Sequence, residues 1–177
     1  MRFVPALVAL LALSATATAG QAQQPAPAPA PPPPLPSCDS AAFRAFDFWI
    51  GEWGVTVSGR PAGRNVITLE EKGCLIHEHW TGARGGTGQS FNFYDRQDGK
   101  WHQVWVSSTG AVLRLSGGRE GDEMRLAGET TTAVGITRHR LTFTKNADGT
   151  VRQFWESSSD GGKTWAVAFD GLYRKAP

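Results

Sequence analysis

Short runs of alternating apolar and polar residues fill the chain from Trp53 to its C-terminal end. The runs are rich in β-branched and aromatic residues, and turns that contain Gly, Asp or Asn separate them, as in β-hairpins. Connections this short place consecutive strands side by side, so the pattern predicts an antiparallel up-and-down meander of about ten strands. The predicted strands span residues 53–58, 65–71, 74–81, 89–95, 101–107, 112–116, 123–127, 136–144, 150–156 and 165–173.

A meander of this kind leaves a closed barrel or a sandwich as the architectures to consider. The absence of long crossover connections favours the closed barrel, which also leaves no strand edge exposed. A barrel of this strand number is wide enough to hold one small ligand. The sequence therefore predicts an all-β barrel with an interior cavity.

One stretch ahead of the strands, residues 39–50, has a helical pattern. Phe43, Phe46 and Ile50 recur at spacings of three and four residues, which would place them on one face of a helix. Gly51 then ends the pattern. We expect one short N-terminal helix that closes an end of the barrel.

The N-terminal part of the chain has the composition of a targeting segment and a spacer. Residues 1–19 combine one basic side chain, an apolar run too short to span a bilayer and small residues at a cleavage position, as secretory signal peptides do. Cleavage after Ala22 instead of Ala19 is a second choice. The alternative to a signal peptide is an N-terminal helix packed on the domain. Residues 20–36 are almost entirely Gln, Ala and Pro, which favours an extended polyproline linker. Residues 37–177 would form the barrel domain, with no integral membrane segment, in a periplasmic or secreted protein.

The chain has two cysteines, Cys38 and Cys74. Because export leads to an oxidising compartment, a disulfide is favoured over two separate free thiols. The bond would tie the first residues of the domain to its third predicted strand. In the chain-entropy model, such a loop closure stabilises the fold by about 4 kcal/mol.

The charge pattern argues against two classes of partner. Lysines and arginines number 18 against 16 acidic residues, and the charges are scattered along the chain. Without a basic stripe, nothing points to nucleic acid, and without an amphipathic basic helix, nothing points to a membrane surface.

Three predicted strands repeat a polar residue followed, two positions later, by a tryptophan. Because strands alternate their faces, each polar side chain shares a face with its indole. An interior face of this kind would be apolar with a few fixed polar groups, as ligand cavities are. On a later strand, Arg140 could supply a cation that fixes a carboxylate. The alternative is packing, with glutamines that satisfy indole N–H groups. The candidate ligand-binding residues are Glu78, Trp80, Gln103, Trp105, Arg140, Gln153 and Trp155.

The histidines offer no complete metal or haem motif. His77 and His79 share one strand face and His102 lies two strands away, but no cysteine or aspartate cluster accompanies them. His139 invites comparison with single-histidine haem sites, yet no further haem motif is present. We predict no metal site and no cofactor.

The segment Phe46-Asp47-Phe48-Trp49-Ile50-Gly51-Glu52-Trp53 resembles the start of a bacterial secreted protein family of unassigned function, in which an F-x-F-x-I-G-x-W segment leads into a lipocalin-like barrel. The resemblance extends over residues 101–106 and 158–165 and the final Tyr173-Arg174. It implies a lipocalin or calycin-like fold for the whole mature domain, and it implies no activity.

Two shorter motifs in the chain carry structural resemblances. Gly51-Glu52-Trp53 is similar to the signature of the wider lipocalin and fatty-acid-binding superfamily, where the first-strand Trp plugs the closed end and a basic residue packs over its ring. This similarity implies structural roles for Trp53 and Arg174. Residues 158–165 are similar to the Asp box of sialidase-like propellers, which implies a stabilised hairpin turn and no sialidase activity.

Three functional hypotheses remain open from the sequence. The first is an exported protein that binds a small, largely apolar molecule between the tryptophans, and it is the one we favour. The second is a lyase-type or isomerase-type enzyme, with Glu78 as general acid or base and Arg140 as an electrostatic clamp. The third is an envelope interaction module in which the proline-rich linker is the functional part.

Overall fold

A computed structural model describes residues 36–176 of the protein. The predicted signal peptide, residues 1–19, and all of the predicted linker except its last residue lie outside the described residues. The described part contains ten β-strands and two short 3₁₀ turns, Asp47–Trp49 and Glu71–Gly73. The strands are β1 Gly51–Val57, β2 Arg60–Glu70, β3 Leu75–Gly82, β4 Thr87–Asp95, β5 Lys100–Ser107, β6 Val112–Glu120, β7 Glu123–Thr132, β8 Gly135–Lys145, β9 Val151–Ser158 and β10 Ala166–Lys175.

Every strand pairs antiparallel with its neighbours in the sequence, and β1 closes the ring by pairing with β10. The prediction of an all-β, up-and-down barrel is therefore confirmed, and the fold is consistent with a lipocalin-like or calycin-like barrel. Among the described residues, no helix is long and apolar enough to cross a membrane.

The prediction of a short N-terminal helix is wrong. Residues 41–46 form consecutive turns, and only Asp47–Trp49 makes a single 3₁₀ turn. The buried aromatic residues are Phe43, Phe46 and Trp49, so the burial repeats every three residues, whereas an α-helix repeats every 3.6. The turns press these three rings onto the barrel, and that tertiary packing replaces the regular helical ladder.

These aromatic residues plug one end of the barrel, which we call the closed end. Phe46 stacks on Trp49 at 5.0 Å between ring centroids and meets Phe143 at the same distance. The indole N–H of Trp53 donates to the backbone oxygen of Trp49 at 2.8 Å, and that of Trp101 donates to the backbone of the plug at 3.0 Å. The plug is thus joined to the barrel by packing and by hydrogen bonds.

A disulfide between Cys38 and Cys74 fastens the start of the plug to the turn before β3, as expected. Arg44 adds a second tie at this place, because its guanidinium donates to the backbone oxygen of Gly73. The plug segment is therefore held from its first residues.

The cation on the Trp53 ring is Lys175 and not Arg174. The register of β1 and β10 pairs Trp53 with Lys175, while Arg174 pairs with Gly54 and is exposed. The Lys175 ammonium lies 3.9 Å from the centroid of the indole and donates to the backbone oxygen of Ile50 at 2.6 Å. The expected contact exists, but the partner lies one residue later, on the face that Trp53 shares.

Strands β3, β5 and β9 run from the closed end toward the opposite, open end. Alternate residues of a strand point to the same side, so the three strands repeat one interior order. Apolar residues come first, polar residues follow, and tryptophans lie nearest the open end. In that order the residues are Ile76, Glu78 and Trp80 on β3, Trp101, Gln103 and Trp105 on β5, and Val151, Gln153 and Trp155 on β9.

Candidate ligand-binding site

A cavity of about 150 Å³ lies inside the barrel above the apolar layer. Six of the seven predicted ligand-binding residues line it, and the exception is Arg140. The tryptophans toward the open end are partly exposed, so the cavity communicates with solvent on that side. Its lining consists of Glu78, Trp80, Gln103, Trp105, Leu113, Leu141, Gln153, Trp155, Phe169 and Tyr173.

Glycines on the barrel wall leave room for two of the indoles. The Trp105 ring occupies the space in which a Cβ at Gly88 of the adjacent strand would lie. The Trp80 ring has the same relation to Gly63, where a Cβ would lie 2.6 Å from Cη2. Because the rings fit against bare backbone, the barrel keeps open volume that larger wall residues would fill.

Glu78 is the buried acidic group of the cavity and accepts two hydrogen bonds. Its Oε1 accepts from the Asn65 amide at 2.7 Å, and its Oε2 accepts from the Ser90 hydroxyl at 2.5 Å. The Asn65 amide also reaches the Tyr173 hydroxyl at 3.4 Å. Tyr173 in turn donates its hydroxyl hydrogen to the side-chain oxygen of Gln153.

The network extends from Ser90 to the other glutamine. The Asn92 amide donates to the Ser90 hydroxyl at 2.9 Å and to the backbone oxygen of Ile76 at 3.2 Å. The Asn92 oxygen accepts from the Gln103 amide at 2.8 Å. A buried chain of polar groups therefore links Gln153 to Gln103 through Glu78, which fixes the orientation of all three polar cavity residues.

Burial raises the pKa of Glu78 to about 7, because the low-dielectric interior disfavours its charged form. Hydrogen bonds from Ser90 and Asn65, and the charge of His77 on the outer face, offset only part of this effect. Burial and the nearby charge of Glu78 raise the pKa of Tyr173 well above its usual value. Near neutral pH, Glu78 is thus divided between its acid and carboxylate forms, while Tyr173 keeps its proton.

Arg140 does not contribute to the cavity, contrary to the prediction. Its guanidinium lies on the outer face, where it makes two hydrogen bonds to the Glu156 carboxylate at 2.7 and 3.0 Å and lies 4.1 Å from the Trp165 ring centroid. Alternation along β8 explains this placement, because Leu141 and His139 occupy the buried positions on either side. The Glu78–Arg140 pair on which the enzyme hypothesis depended is therefore not enclosed in the cavity.

His139 supports the cavity wall from beside Trp155. The Trp155 indole donates to His139 Nδ1 at 3.2 Å, and His139 Nε2 lies 2.9 Å from the Thr130 hydroxyl. Since Nδ1 is an acceptor, this ring is neutral with its proton on Nε2, and burial lowers its pKa in agreement. Both ring nitrogens are engaged by neighbouring side chains.

The other three histidines lie on the outer face. His77 and His79 are adjacent, with 3.2 Å between their nearest ring nitrogens, and His77 also contacts Glu70 and Gln89. His102 Nε2 instead lies 3.0 Å from the Asp98 carboxylate at the closed end. The sequence grouping of these three histidines is therefore not a spatial cluster.

The Asp-box segment forms the expected turn between β9 and β10. Asp160 accepts from the backbone N–H groups of Lys163 and Thr164 at 2.9 Å and from the Thr164 hydroxyl at 2.6 Å. These bonds hold the pKa of Asp160 well below its usual value. The turn lies outside the cavity lining, in accord with a structural role.

Sequence reasoning missed the residues that hold Glu78 and complete the wall. Asn65, Ser90 and Asn92 are buried polar residues on β2 and β4. Each is a polar residue at an inward-facing position of its strand. The sequence shows the polar residue, but only the strand register shows that the position faces inward. The other missed wall residues are Leu113, Leu141, Phe169 and Tyr173.

Comparison with family models and with curated proteins supplies no relative for this chain. No family model matches the sequence, and no curated protein is significantly similar to it. The geometry of the cavity is therefore the guide to its function.

Proposed function

We propose that this protein is an exported small-molecule-binding protein that holds a ligand with a largely apolar body inside its barrel. The observation that carries the proposal is the cavity of about 150 Å³, lined by three tryptophans and by Glu78, Gln103 and Gln153. Ligand sites combine apolar walls with a few fixed polar groups, which is the composition of this lining.

The buried polar network supports the proposal further. Holding Glu78 in a low-dielectric interior costs stability, and a fully packed apolar core would avoid that cost. The network orients Glu78 and the two glutamines toward one cavity, as a pre-organised binding site requires. The disulfide between Cys38 and Cys74 supports the export component, because such bonds persist in oxidising compartments.

Isolation of the protein from its native cells, without washing steps that strip ligands, tests the proposal. Native mass spectrometry should reveal an additional small mass on the folded protein, and an extract containing that compound should change the tryptophan fluorescence of the stripped protein. Trp105→Ala and Gln103→Ala should weaken this response. Trp165→Ala removes an indole from the outer face and serves as the matched control. A response that survives both cavity substitutions would place the ligand elsewhere and refute the proposed site.

A further inference from the structure

We propose that the cavity is selective for a small organic cation, namely an amine or quaternary ammonium with an apolar body, whose charged head lies against Glu78 among the indoles. This inference rests on the binding function proposed above and specifies the chemical class of the ligand. It reverses the charge expected from the sequence, where Arg140 was to fix a carboxylate.

The charged groups of the cavity wall favour a cationic ligand. Among the described residues that line the cavity, Glu78 supplies the one carboxylate, and none is an arginine or a lysine. Tyr173, the other titratable group of the lining, stays neutral. Burial disfavours the charged form of Glu78, its hydrogen bonds offset only part of this cost, and the cavity lining supplies no cation to offset the rest. A cationic ligand would provide it.

The aromatic rings of the same wall also favour a cation. Trp80, Trp105 and Trp155 line the cavity with Phe169 and Tyr173. The electron-rich faces of aromatic rings attract cations, tryptophan most strongly, and this attraction grows when water is excluded. An acid surrounded by tryptophans thus favours an organic cation over a neutral ligand of equal size.

Some of the hydrogen-bonding capacity beside Glu78 is unused. Each carboxylate oxygen has two acceptor positions, and the observed bonds from Asn65 and Ser90 use one on each oxygen. Gln103 donates its amide to Asn92, which leaves its side-chain oxygen as a further acceptor. The Gln153 amide, whose oxygen is taken by Tyr173, and the second amide hydrogen of Gln103 remain as donors. The unused acceptor positions of Glu78 and Gln103 can therefore receive the N–H groups of an amine in its ammonium form.

Two arginines near the open end do not change the preference of the cavity for a positively charged ligand. Arg60 and Arg84 are exposed and line an outer groove that shares Trp80 and Phe169 with the cavity. They are not among the residues that line the cavity itself. Water and salt screen their charge over a distance of about 8 Å at physiological ionic strength.

The size of the cavity limits the ligand to about one aromatic ring. A volume of about 150 Å³ equals that of engineered apolar protein cavities that take up benzene. Benzylamine is therefore an appropriate probe. Benzyl alcohol and benzoate share its ring and serve as the neutral and anionic counterparts.

Cation binding should depend on the ionisation of Glu78. Asn65 on β2 and Ser90 on β4 face Glu78 as neutral groups, Tyr173 on β10 keeps its proton, and the charge of His77 acts from the outer face. Because the pKa of Glu78 is about 7, the dissociation constant of benzylamine should rise by about tenfold per pH unit below that value. Benzyl alcohol should lack this dependence.

Titrations of tryptophan fluorescence with the three probes, from pH 5 to pH 8, test the inference on the full exported protein. At pH 8, benzylamine should bind at least about tenfold more tightly than benzyl alcohol, and benzoate should bind most weakly. Choline, a cation without a titrating group, should follow the same pH dependence as benzylamine, which assigns that dependence to the protein.

Substitution of the cavity acid provides the decisive comparison. Glu78→Gln keeps the shape of the side chain and should abolish both the preference for benzylamine and its pH dependence, while benzyl alcohol still binds. Glu156→Gln removes a carboxylate from the outer face and should leave all three affinities unchanged. Circular dichroism and thermal unfolding verify that both variants are folded.

The outcomes separate this inference from the binding function itself. Equal binding of benzylamine and benzyl alcohol, or a preference unaffected by Glu78→Gln, would overturn the cation selectivity and leave the binding function standing. Tighter binding of benzoate, or no binding of benzylamine, would also overturn it. The binding function fails separately, if no compound accompanies the native protein and no extract produces a response sensitive to Trp105→Ala.

Discussion

The Lys175 ammonium lies 3.9 Å from the centre of the Trp53 indole, so the last strand is joined to the first at the closed end by a cation–π contact. Lys175→Met keeps much of the aliphatic chain but removes the charge. We expect it to lower the free energy of unfolding by about 0.5–2 kcal/mol. Arg174→Met, on the exposed neighbouring position, should change it by less than about 0.5 kcal/mol. Urea unfolding measures both, and equal effects would contradict the assignment to Lys175.

Because the Trp105 ring packs directly against Gly88, a larger residue at position 88 should displace the ring and change the shape of the cavity. Gly88→Ala would place a methyl group where the ring now lies, and the ring must then move or the strand must shift. Overpacking of this kind costs about 1–3 kcal/mol of stability. Ligand binding should weaken together with the change in Trp105 fluorescence.

Gly54→Ala is the matched control for this substitution, because nothing lies within 4 Å of a Cβ built there. It should preserve both the binding and the fluorescence spectrum. If Gly88→Ala binds ligand as tightly as Gly54→Ala does, the contact of Trp105 with the wall does not set the size of the cavity.

The raised pKa of Glu78 predicts the direction of a pH effect on stability. The folded protein holds a proton on Glu78 up to about pH 7, while the unfolded chain releases it near the ordinary glutamate pKa of 4.5. The contribution of this group to stability is therefore fully present below pH 4.5 and is lost as the pH rises through 7. The loss amounts to about 3 kcal/mol.

Urea unfolding of wild type and Glu78→Gln across this pH range measures the effect. The difference in unfolding free energy between the two proteins should move in favour of the variant as the pH rises from 4.5 to 7. A difference that stays constant with pH would show that Glu78 has the same pKa in both states.

Removal of the disulfide should loosen the plug before the barrel. The Cys38–Cys74 bond spans 36 residues, and its loss through the double substitution to serine should cost about 4 kcal/mol in the chain-entropy model. Hydrogen exchange should rise first in residues 39–50, since this segment consists of turns rather than a regular helix. Unchanged exchange there would mean that the aromatic packing alone secures the plug.

The parts of the site visible in the sequence were those that repeat with the period of a strand. Glu78 and Trp80 share a face whatever the neighbouring strands do, because alternation is a local property. Arg140 lay beyond this reasoning because the sequence does not state which face of a strand is interior. Its neighbour Leu141 is buried, as is Phe143 two positions later. This alternation assigns Arg140 to the outer face of β8 only once closure of the barrel has made the other face interior.

Asn65 and the helix prediction illustrate the limits set by long-range contacts. Asn65 reaches Tyr173, which is 108 positions away in the sequence, and only closure of β1 against β10 brings them together. The spacing of Phe43 and Phe46 suited a helix and a 3₁₀ arrangement equally well. The contact of Trp49 with Phe143 on β8, outside the segment, decides between them.

Under the proposed binding function, the common interior order of β3, β5 and β9 determines which end of a ligand enters the cavity first. A compound that arrives from the open end passes the three indoles before it meets Glu78 and the glutamines, and the apolar floor beneath them stops it. The head group of such a ligand would therefore lie against Glu78 at the inner end of the cavity, while its tail would stay near the open end. Such a protein would be selective for the head group of its ligand and not for the tail. It would bind a series of compounds that share a head group and differ only in their tails.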